Sequence, residues 1–280
     1  TREYQMHHPQ PSWSELNPDE VWLRLMEAIR ESIRLGGLQP NGIIALSVSS
    51  QGEAAIPIDN EGNWLYPAIH AFDIRTIPQT HWWRDQVGRH RIFEITGQPL
   101  HPMYAINKIM WLRDQKPEVY QRAKKFLCFE DYVIWKLSEQ IATDYSIASR
   151  TMAFDVTKKE WSRELLDTAD MSEDLFPHAY PSGKRVGEVC PKAAEETGLA
   201  KGTAVATGGH DQPCGALGVG VTSPGPLMDA TGTVEALAAA MKKPLLNEHM
   251  LSVNYACYCH VKEDTYFTVG AIPTAGLLFR

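Results

Sequence analysis

The sequence predicts an α/β fold. Short apolar runs of strand length lie at residues 42–49 and 203–207, and stretches with helical spacing lie between them. The links between these stretches are short, as in packed layers of helix and sheet. The 280 residues make room for about two domains at roughly 150 residues each. Hydrophobic residues at 44% and charged residues at 22% exclude a mainly disordered chain. The formal net charge of −7 argues against a nucleic-acid partner, which would ask for a basic excess. The longest strongly apolar run, residues 43–48, is far too short to span a bilayer, so no membrane partner is expected.

The elements can be justified in order. Asn17-Pro18-Asp19-Glu20 starts a helix: Asn17 caps, Pro18 fits the first helical position, and Glu20 completes a capping box. Val21, Leu25, Ile29 and Ile33 recur every four residues, and Gly36-Gly37 ends the helix. The near-continuous apolar run from Gly42 reads as a buried strand. Residues 54–58 and 64–69 flank Asp59-Asn-Glu-Gly62, which predicts a hairpin. Residues 107–114, 117–125 and 132–137 read as helices. Residues 203–207 form a short strand ending in Gly208-Gly209, and residues 212–220 a helix rich in small residues. Thr222-Ser-Pro-Gly-Pro226 is the candidate linker. Strand patterns follow at 227–231, 235–241, 252–260 and 266–269.

Three segments could carry chemistry. In Thr207-Gly-Gly-His-Asp-Gln-Pro-Cys-Gly, a buried strand runs into two glycines and presents Asp211 just before a helix. Ligands of α/β sheets bind beyond the carboxyl ends of strands, where a carboxylate can accept a hydroxyl proton or help hold a metal. A plain helix cap is the alternative, and these residues alone leave both open. In Asp229-Ala-Thr-Gly-Thr-Val, the Gly-Thr pair can bind phosphate through backbone N–H groups and a hydroxyl, although an ordinary turn is commoner. Ser49-Ser50-Gln51-Gly52-Glu53 also follows a strand and offers donors and acceptors to a polyhydroxylated ligand; alone, it is more often a polar turn.

Other motifs fail. The third glycine of a dinucleotide fingerprint would fall at Ser223, and neither a Walker-type loop nor a Gly-x-Ser-x-Gly elbow occurs. Cys257-Tyr-Cys259-His260 has no second ligand cluster at zinc spacing, so alternation along a strand is the better reading. His7-His8 and Trp82-Trp83 read as surface or packing residues. The five scattered cysteines point to a reduced, intracellular setting. The chain begins at Thr1 with no apolar stretch of a signal peptide and ends just after Gly276-Leu-Leu-Phe, so both ends are expected to continue in something longer.

As a set, the segments resemble the FGGY carbohydrate kinases. Lys108-Ile-Met-Trp111 resembles the Lys-x-x-Trp core of that family's first signature. Thr143-Asp-Tyr-Ser-Ile-Ala-Ser-Arg-Thr is similar to its Thr-Asp-x-Ser-x-Ala-Ser-Arg-Thr segment. Ser50-Gln51-Gly52, Phe72-Asp73-Ile-Arg75-Thr76, Gly209-His-Asp211 and Gly232-Thr233 fall in the family's order. The resemblance implies a ribonuclease-H/actin-like ATPase fold with a cleft between two domains. It implies transfer of the γ-phosphoryl group of ATP to a sugar hydroxyl with Mg2+, in the cytoplasm. Asp211 would be the catalytic base and would also face the metal. Gln51, Gly52, Glu53, Asp73 and Gln212 would contact the sugar, and Gly232 and Thr233 the ATP phosphates. Residues 144–150 would be scaffold. Residues 1–221 would be the sugar-binding domain without its first strand and phosphate loop, and 222–280 the start of an incomplete nucleotide domain. A homodimer stays open.

Some residues depart from the family pattern. Ala105 stands where the first signature carries Pro, Ser or Thr. Met103 and Gly52 replace an aromatic residue and an arginine of glycerol kinases, which argues against glycerol. Gly209-His-Asp211 looks more like the base segment of deoxyketose kinases than of xylulose kinases, while xylulose and gluconate stay open. With the other phosphate loop and the adenosine pocket missing, the 280 residues alone are expected to bind ATP barely. A non-catalytic sugar-binding relic of a kinase is the competing function.

Overall fold

The computed structural model describes residues 1–231 and 235–272. The first long helix, Pro18–Leu35, starts as its sequence dictates: Asn17 Oδ1 accepts from the backbone N–H groups of Asp19 and Glu20 at 2.9 and 3.3 Å. The expected capping box does not close, because the Glu20 carboxylate instead accepts from Gln5 N at 3.2 Å. The stripe Val21, Leu25, Ile29 and Ile33 packs against the core centred on Ile56, Ile58, Leu127 and Val205.

A three-stranded sheet forms the base of the candidate site. Its order is Arg185–Glu188, Ala204–His210, Ala45–Ser50. The central Ala204–His210 strand pairs parallel with Ala45–Ser50 and antiparallel with Arg185–Glu188. Ala45–Ser50 differs from the buried strand its apolar run suggested: its residues alternate between exposed and half-buried, and neighbouring Ile44 is 85% exposed. The reason is position. It is an edge strand among the described residues, so only one of its faces meets the core.

The hairpin at Asp59 forms, with Asp59 N donating to Asn63 O at 3.0 Å and a bridge between Ile58 and Trp64. The larger partner of Ile56–Ile58 is the distant strand Lys125–Leu127, so Lys125 is extended and the preceding helix, Pro117–Arg122, stops short of it. Helices Ala105–Gln115 and Phe129–Ser138 bury most of their length against these strands.

Beyond the Thr222–Pro226 loop stands an antiparallel sheet ordered Leu227–Thr231, Glu235–Met241, Tyr266–Ile272, Ala256–Cys259. The single strand expected at 252–260 is instead helix Glu248–Ser252, capped by Asn247 on Met250 N, followed by strand Ala256–Cys259. In the central strand Ala236, Ala238 and Ala240 turn inward. One hydrophobic cluster joins Ala238, Ala240, Tyr258 and Phe267 to Ile92, Ile95, Leu112 and Phe154, so this sheet packs directly on the first body. Cys257 N seals the contact by donating to Gly97 O at 2.7 Å.

The central strand runs on through Gly208 and Gly209 to His210, longer than its apolar run indicated, with a register irregularity between Ala206 and Gly209. Glycine is required there by close approach. A Cβ on Gly208 would sit 2.0 Å from Val48 O, and one on Gly209 would sit 2.3 Å from Val261 Cγ1. Gly208 N donates to the fully buried Glu130 Oε1 at 2.7 Å. Burial first, then the negative charges of Asp144 and Asp131, push the Glu130 carboxyl well above its usual range.

Two predictions follow from this strand. Gly208→Ala should cost at least about 2 kcal/mol, since the clash is with backbone that cannot rotate away. Urea denaturation reads it, and a loss under about 0.5 kcal/mol would contradict the close approach. For Glu130, the folded state binds its proton more tightly than the unfolded state does. Its contribution to stability is therefore complete below the unfolded value of about 4.3 and is lost as pH rises through the raised folded value. Glu130→Gln removes that titration, so the melting temperature of the variant relative to wild type should climb between pH 5 and pH 8. A pH-independent difference would show that Glu130 is ionised in the folded protein.

Candidate functional site

Asp211 opens the helix Asp211–Gly218 at the carboxyl end of the central strand. It does not cap that helix. The N-cap is His210, and its side chain bonds no backbone N–H. The Asp211 side chain is half exposed (51%), and its Oδ1 lies 3.2 Å from His210 Nε2. That leaves a carboxylate oxygen with no hydrogen-bond partner among the described residues, as a proton acceptor requires. Next to it, Gln212 is half-buried and its Oε1 is buried without a partner.

The segment Gln51 to Glu53 leaves the end of the neighbouring parallel strand and lies against the same place. The Gln51 amide makes no hydrogen bond among the described residues. Gly52 is buried so closely that a Cβ would stand 3.0 Å from Arg150 Cβ and 3.2 Å from His210 Cδ2. Glu53 takes the left-handed conformation (φ 63°), unusual for a residue with a side chain. Two cations hold it there. Lys108 Nζ donates to Glu53 O at 2.5 Å, and Arg150 Nε and Nη2 both lie 2.5 Å from Glu53 Oε1. Burial raises the Glu53 carboxyl, but Arg150, His210 and Lys108 outweigh it and hold the group below its usual range. Burial also drives Lys108 down to about 8.

Sequence reasoning took residues 144–150 as scaffold, yet Arg150 reaches the candidate site. The segment is indeed built as a frame: Asp144 accepts from Ser146 N and Ile147 N at 2.9 and 2.8 Å and so starts the short helix Tyr145–Ser149. The frame ends by aiming Arg150 into the site. Besides Glu53 it bonds Gln98 Oε1 at 3.0 Å, and its guanidinium lies over Tyr104 and Tyr258 at 5.3 and 5.1 Å. A buried cation in a sequence this polar needs an anion, and only its partner's position, 97 residues away, identifies Glu53 as that anion.

Asp73 requires a correction. It is 0% exposed, and its oxygens accept from Ser14 N at 2.6 Å, Arg75 N at 2.9 Å and the Arg75 guanidinium at 2.6–3.0 Å. Arg75 also reaches Glu15 at 2.8 Å, and its guanidinium lies 3.6 Å from the ring centre of Trp13 and 4.9 Å from that of Trp111. No face of the Asp73 carboxylate is left for a sugar, so it braces the loop after the Ala68–Ile69 strand. Gly232 and Thr233, the expected phosphate turn, lie outside the described residues, as does the apolar end at 277–279.

Beside Arg150 opens a cavity of about 320 Å3, lined by His101, Met103, Tyr104 and Arg150 on one side and by Asn254, Tyr255 and the second sheet's Ala256 and Val269 on the other. Asp211 is outside this lining; the path to it from Arg150 runs through Tyr258, whose hydroxyl lies 3.1 Å from His210 Nδ1. Among the described residues no three His, Cys, Asp or Glu side chains come together to hold a metal. Cys257 and Cys259 are buried free thiols on the strand Ala256–Cys259. No helix among the described residues is long and apolar enough to cross a membrane.

Comparison with known proteins places this geometry. The family model described as the N-terminal domain of the FGGY family of carbohydrate kinases matches residues 1–218. Xylulose kinase of Bacillus subtilis is 29% identical over 276 residues, covering 99% of this chain and 54% of the relative. The crystal structure of a xyloylose kinase from Brucella ovis superposes with a TM-score of 0.87 at 25% identity, over 98% of this chain and 56% of that one. The ligand-bound xylulose kinase from Lactobacillus acidophilus gives a TM-score of 0.91 at 23% identity, over 99% and 55%. The chain thus spans about half the length of the curated relatives it matches. Its α/β architecture is the actin-like ATPase fold of these kinases. With the family model covering most of its length and every expected segment in order, this chain belongs to the FGGY family of carbohydrate kinases.

Proposed function

We propose that this chain is the sugar-binding part, and the beginning of the nucleotide-binding part, of an ATP-dependent carbohydrate kinase acting on a ketose or related sugar. The division between the two parts falls at residues 221 and 222. The observation that carries the reading is the convergence at the strand ends: an unpartnered Asp211 oxygen, an unpartnered Gln212 Oε1 and the Gln51–Gly52–Glu53 rim all meet beside the same central strand.

The chemistry suits these parts. A sugar hydroxyl attacks the γ-phosphorus of ATP, the bond to the bridging oxygen breaks, ADP leaves, and the hydroxyl proton passes to Asp211. Such transfer depends mainly on positioning and charge stabilisation. Gln51 and Gln212 bind and orient the hydroxyls. Gly52 has no side chain where Arg150 and His210 pack against it, and so keeps the rim close to the central strand. Glu53 shapes this rim from beneath, because its Oε1 is committed to Arg150. Mg2+ is commonly held by one or two carboxylates plus phosphates and water, so the exposed Asp211 carboxylate fits as a lone protein ligand. There the ion would neutralise phosphate charge. Gly232 and Thr233 are assigned to the ATP phosphates on the family pattern. The second sheet, which carries Tyr258 against His210, supplies one wall beside the site.

Phosphorylation of a sugar panel by the native full-length protein tests the activity, and Asp211→Asn tests the base. Turnover should fall by about 10²–10⁴ while the sugar dissociation constant changes only a few-fold. A variant that keeps more than half of the wild-type rate would remove Asp211 from the chemistry. A wild type that binds sugar but phosphorylates none would favour the sugar-binding relic.

A further inference from the structure

The turn at Glu53 is strained and held by buried groups. Ala54 N donates to Gly52 O at 2.8 Å, which closes a three-residue turn on Glu53. Glu53 stands at its centre with φ 63°, the hand of the rarer, strained form of such a turn. Arg150 takes its carboxylate and Lys108 Nζ its carbonyl, at 2.5 Å each, and Cys128 Sγ donates to the next carbonyl, Ala54 O, at 3.3 Å. Strain of this kind persists only where the surroundings over-determine it, and it collects at ligand sites. We propose that Lys108 is a positioning residue for the sugar rim, kept in the core to hold the Glu53 carbonyl inward and so to fix Gln51 and Gly52 at the strand end beside Asp211. This deepens the kinase reading and rests on it.

Stability does not explain this lysine. It lies in the helix Ala105–Gln115 and is 0% exposed. An ammonium carries three donors, and among the described residues one of them is used, on Glu53 O. Burial outweighs the attraction of Glu53 and lowers the group to about 8. A lysine whose folded value lies below its unfolded value of about 10.4 costs stability, in full below the folded value and progressively less as pH rises through the unfolded one. A methionine would fill the same space without that cost. What methionine lacks is a donor for the Glu53 carbonyl. Without one the carbonyl is free to turn, the strained centre relaxes toward extended backbone, and Gln51 moves with it.

The same helix start supports the surroundings of the rim. Asn107 Nδ2 donates to His101 O at 2.9 Å, and Ile106 N donates to Thr151 O at 3.1 Å, next to Arg150. Three successive residues thus hold the cavity wall, the segment that carries Arg150, and the turn itself. Arg150 fixes the Glu53 side chain and Lys108 its backbone.

The test separates position from stability in the full-length protein. Carbon-13 NMR should give left-handed shifts for Glu53 in the wild type and shifts moved toward extended backbone in Lys108→Met. The melting temperature of Lys108→Met at pH 7 should stay within about 3 °C of wild type or rise. Its affinity for D-xylulose or D-gluconate, whichever the wild type binds in calorimetry, should fall about 10- to 100-fold. In phosphorylation of that sugar, kcat and the ATP KM should stay within about three-fold. Lys108→Gln, which offers a donor without the buried charge, should show the same sugar-specific loss in milder form. Left-handed Glu53 shifts kept in Lys108→Met, unchanged sugar affinity, or equal losses for sugar and ATP would overturn the proposal. So would failure of both variants to fold, since Lys108 would then serve stability. A wild type that phosphorylates no sugar would defeat the kinase reading, and the Glu53 shifts would still decide what Lys108 holds.

Discussion

The buried pair of Glu53 and Arg150 is the interaction on which the site depends. Neither group could sit where it does alone, because an unpaired charge in such surroundings costs several kcal/mol. Together they are tolerated, with Lys108 on the Glu53 carbonyl, Gln98 on the guanidinium and two tyrosine faces around it. The pair fixes three things at once. It holds the left-handed turn at Glu53, which carries the proposed sugar rim. It anchors the end of the short helix begun by Asp144. It also sets Arg150 beneath Tyr258, which makes the second sheet part of the site.

A second buried arginine repeats the principle away from the chemistry. Arg75 is satisfied by Asp73 and Glu15 and lies over Trp13, which packs edge-on against Trp111, so it ties the N-terminal segment to the helix Ala105–Gln115. Below the central strand, Glu130, Asp131 and Asp144 form an acidic floor. Burial raises all three carboxyls, Asp131 to about 7, and the charge of Asp144 adds to the rise at Glu130 and Asp131. That floor receives Gly208 N and the Ser146 hydroxyl, the two supports of the turn that presents His210 and Asp211. Charge buried around the site is thus used for position, while the Asp211 side chain stays half exposed.

What was legible in the sequence was local. Asn17, Pro18 and the four-residue spacing of Val21 to Ile33 fix the first helix through neighbours along the chain. The glycines before Asp211 announced a close approach whose partner, Val48, only the fold supplies. The errors arose from distant relations. The 42–49 run looks buried by composition, yet its place at a sheet edge decides its exposure. Asp73 looked like a sugar ligand, but Arg75, two residues on, and Ser14, 59 residues back, consume it. Arg150 and Glu53 are 97 positions apart, and no periodicity links them. The Asn247-Glu248 pair is a readable helix start that the strand pattern at 252–260 obscured.

The central claim is that the Glu53–Arg150 pair organises the sugar rim, and a double-mutant cycle tests it most directly. Stability of wild type, Glu53→Gln, Arg150→Met and the double variant would be measured by urea denaturation, with sugar affinity measured by calorimetry on each. Arg150→Met alone should cost about 3–5 kcal/mol by stranding the Glu53 charge, and the double variant should recover a good part of that. Sugar binding should stay weak in all three variants, because the rim has lost its anchor even where stability returns. A coupling energy below about 0.5 kcal/mol, or wild-type sugar affinity in the double variant, would contradict the account.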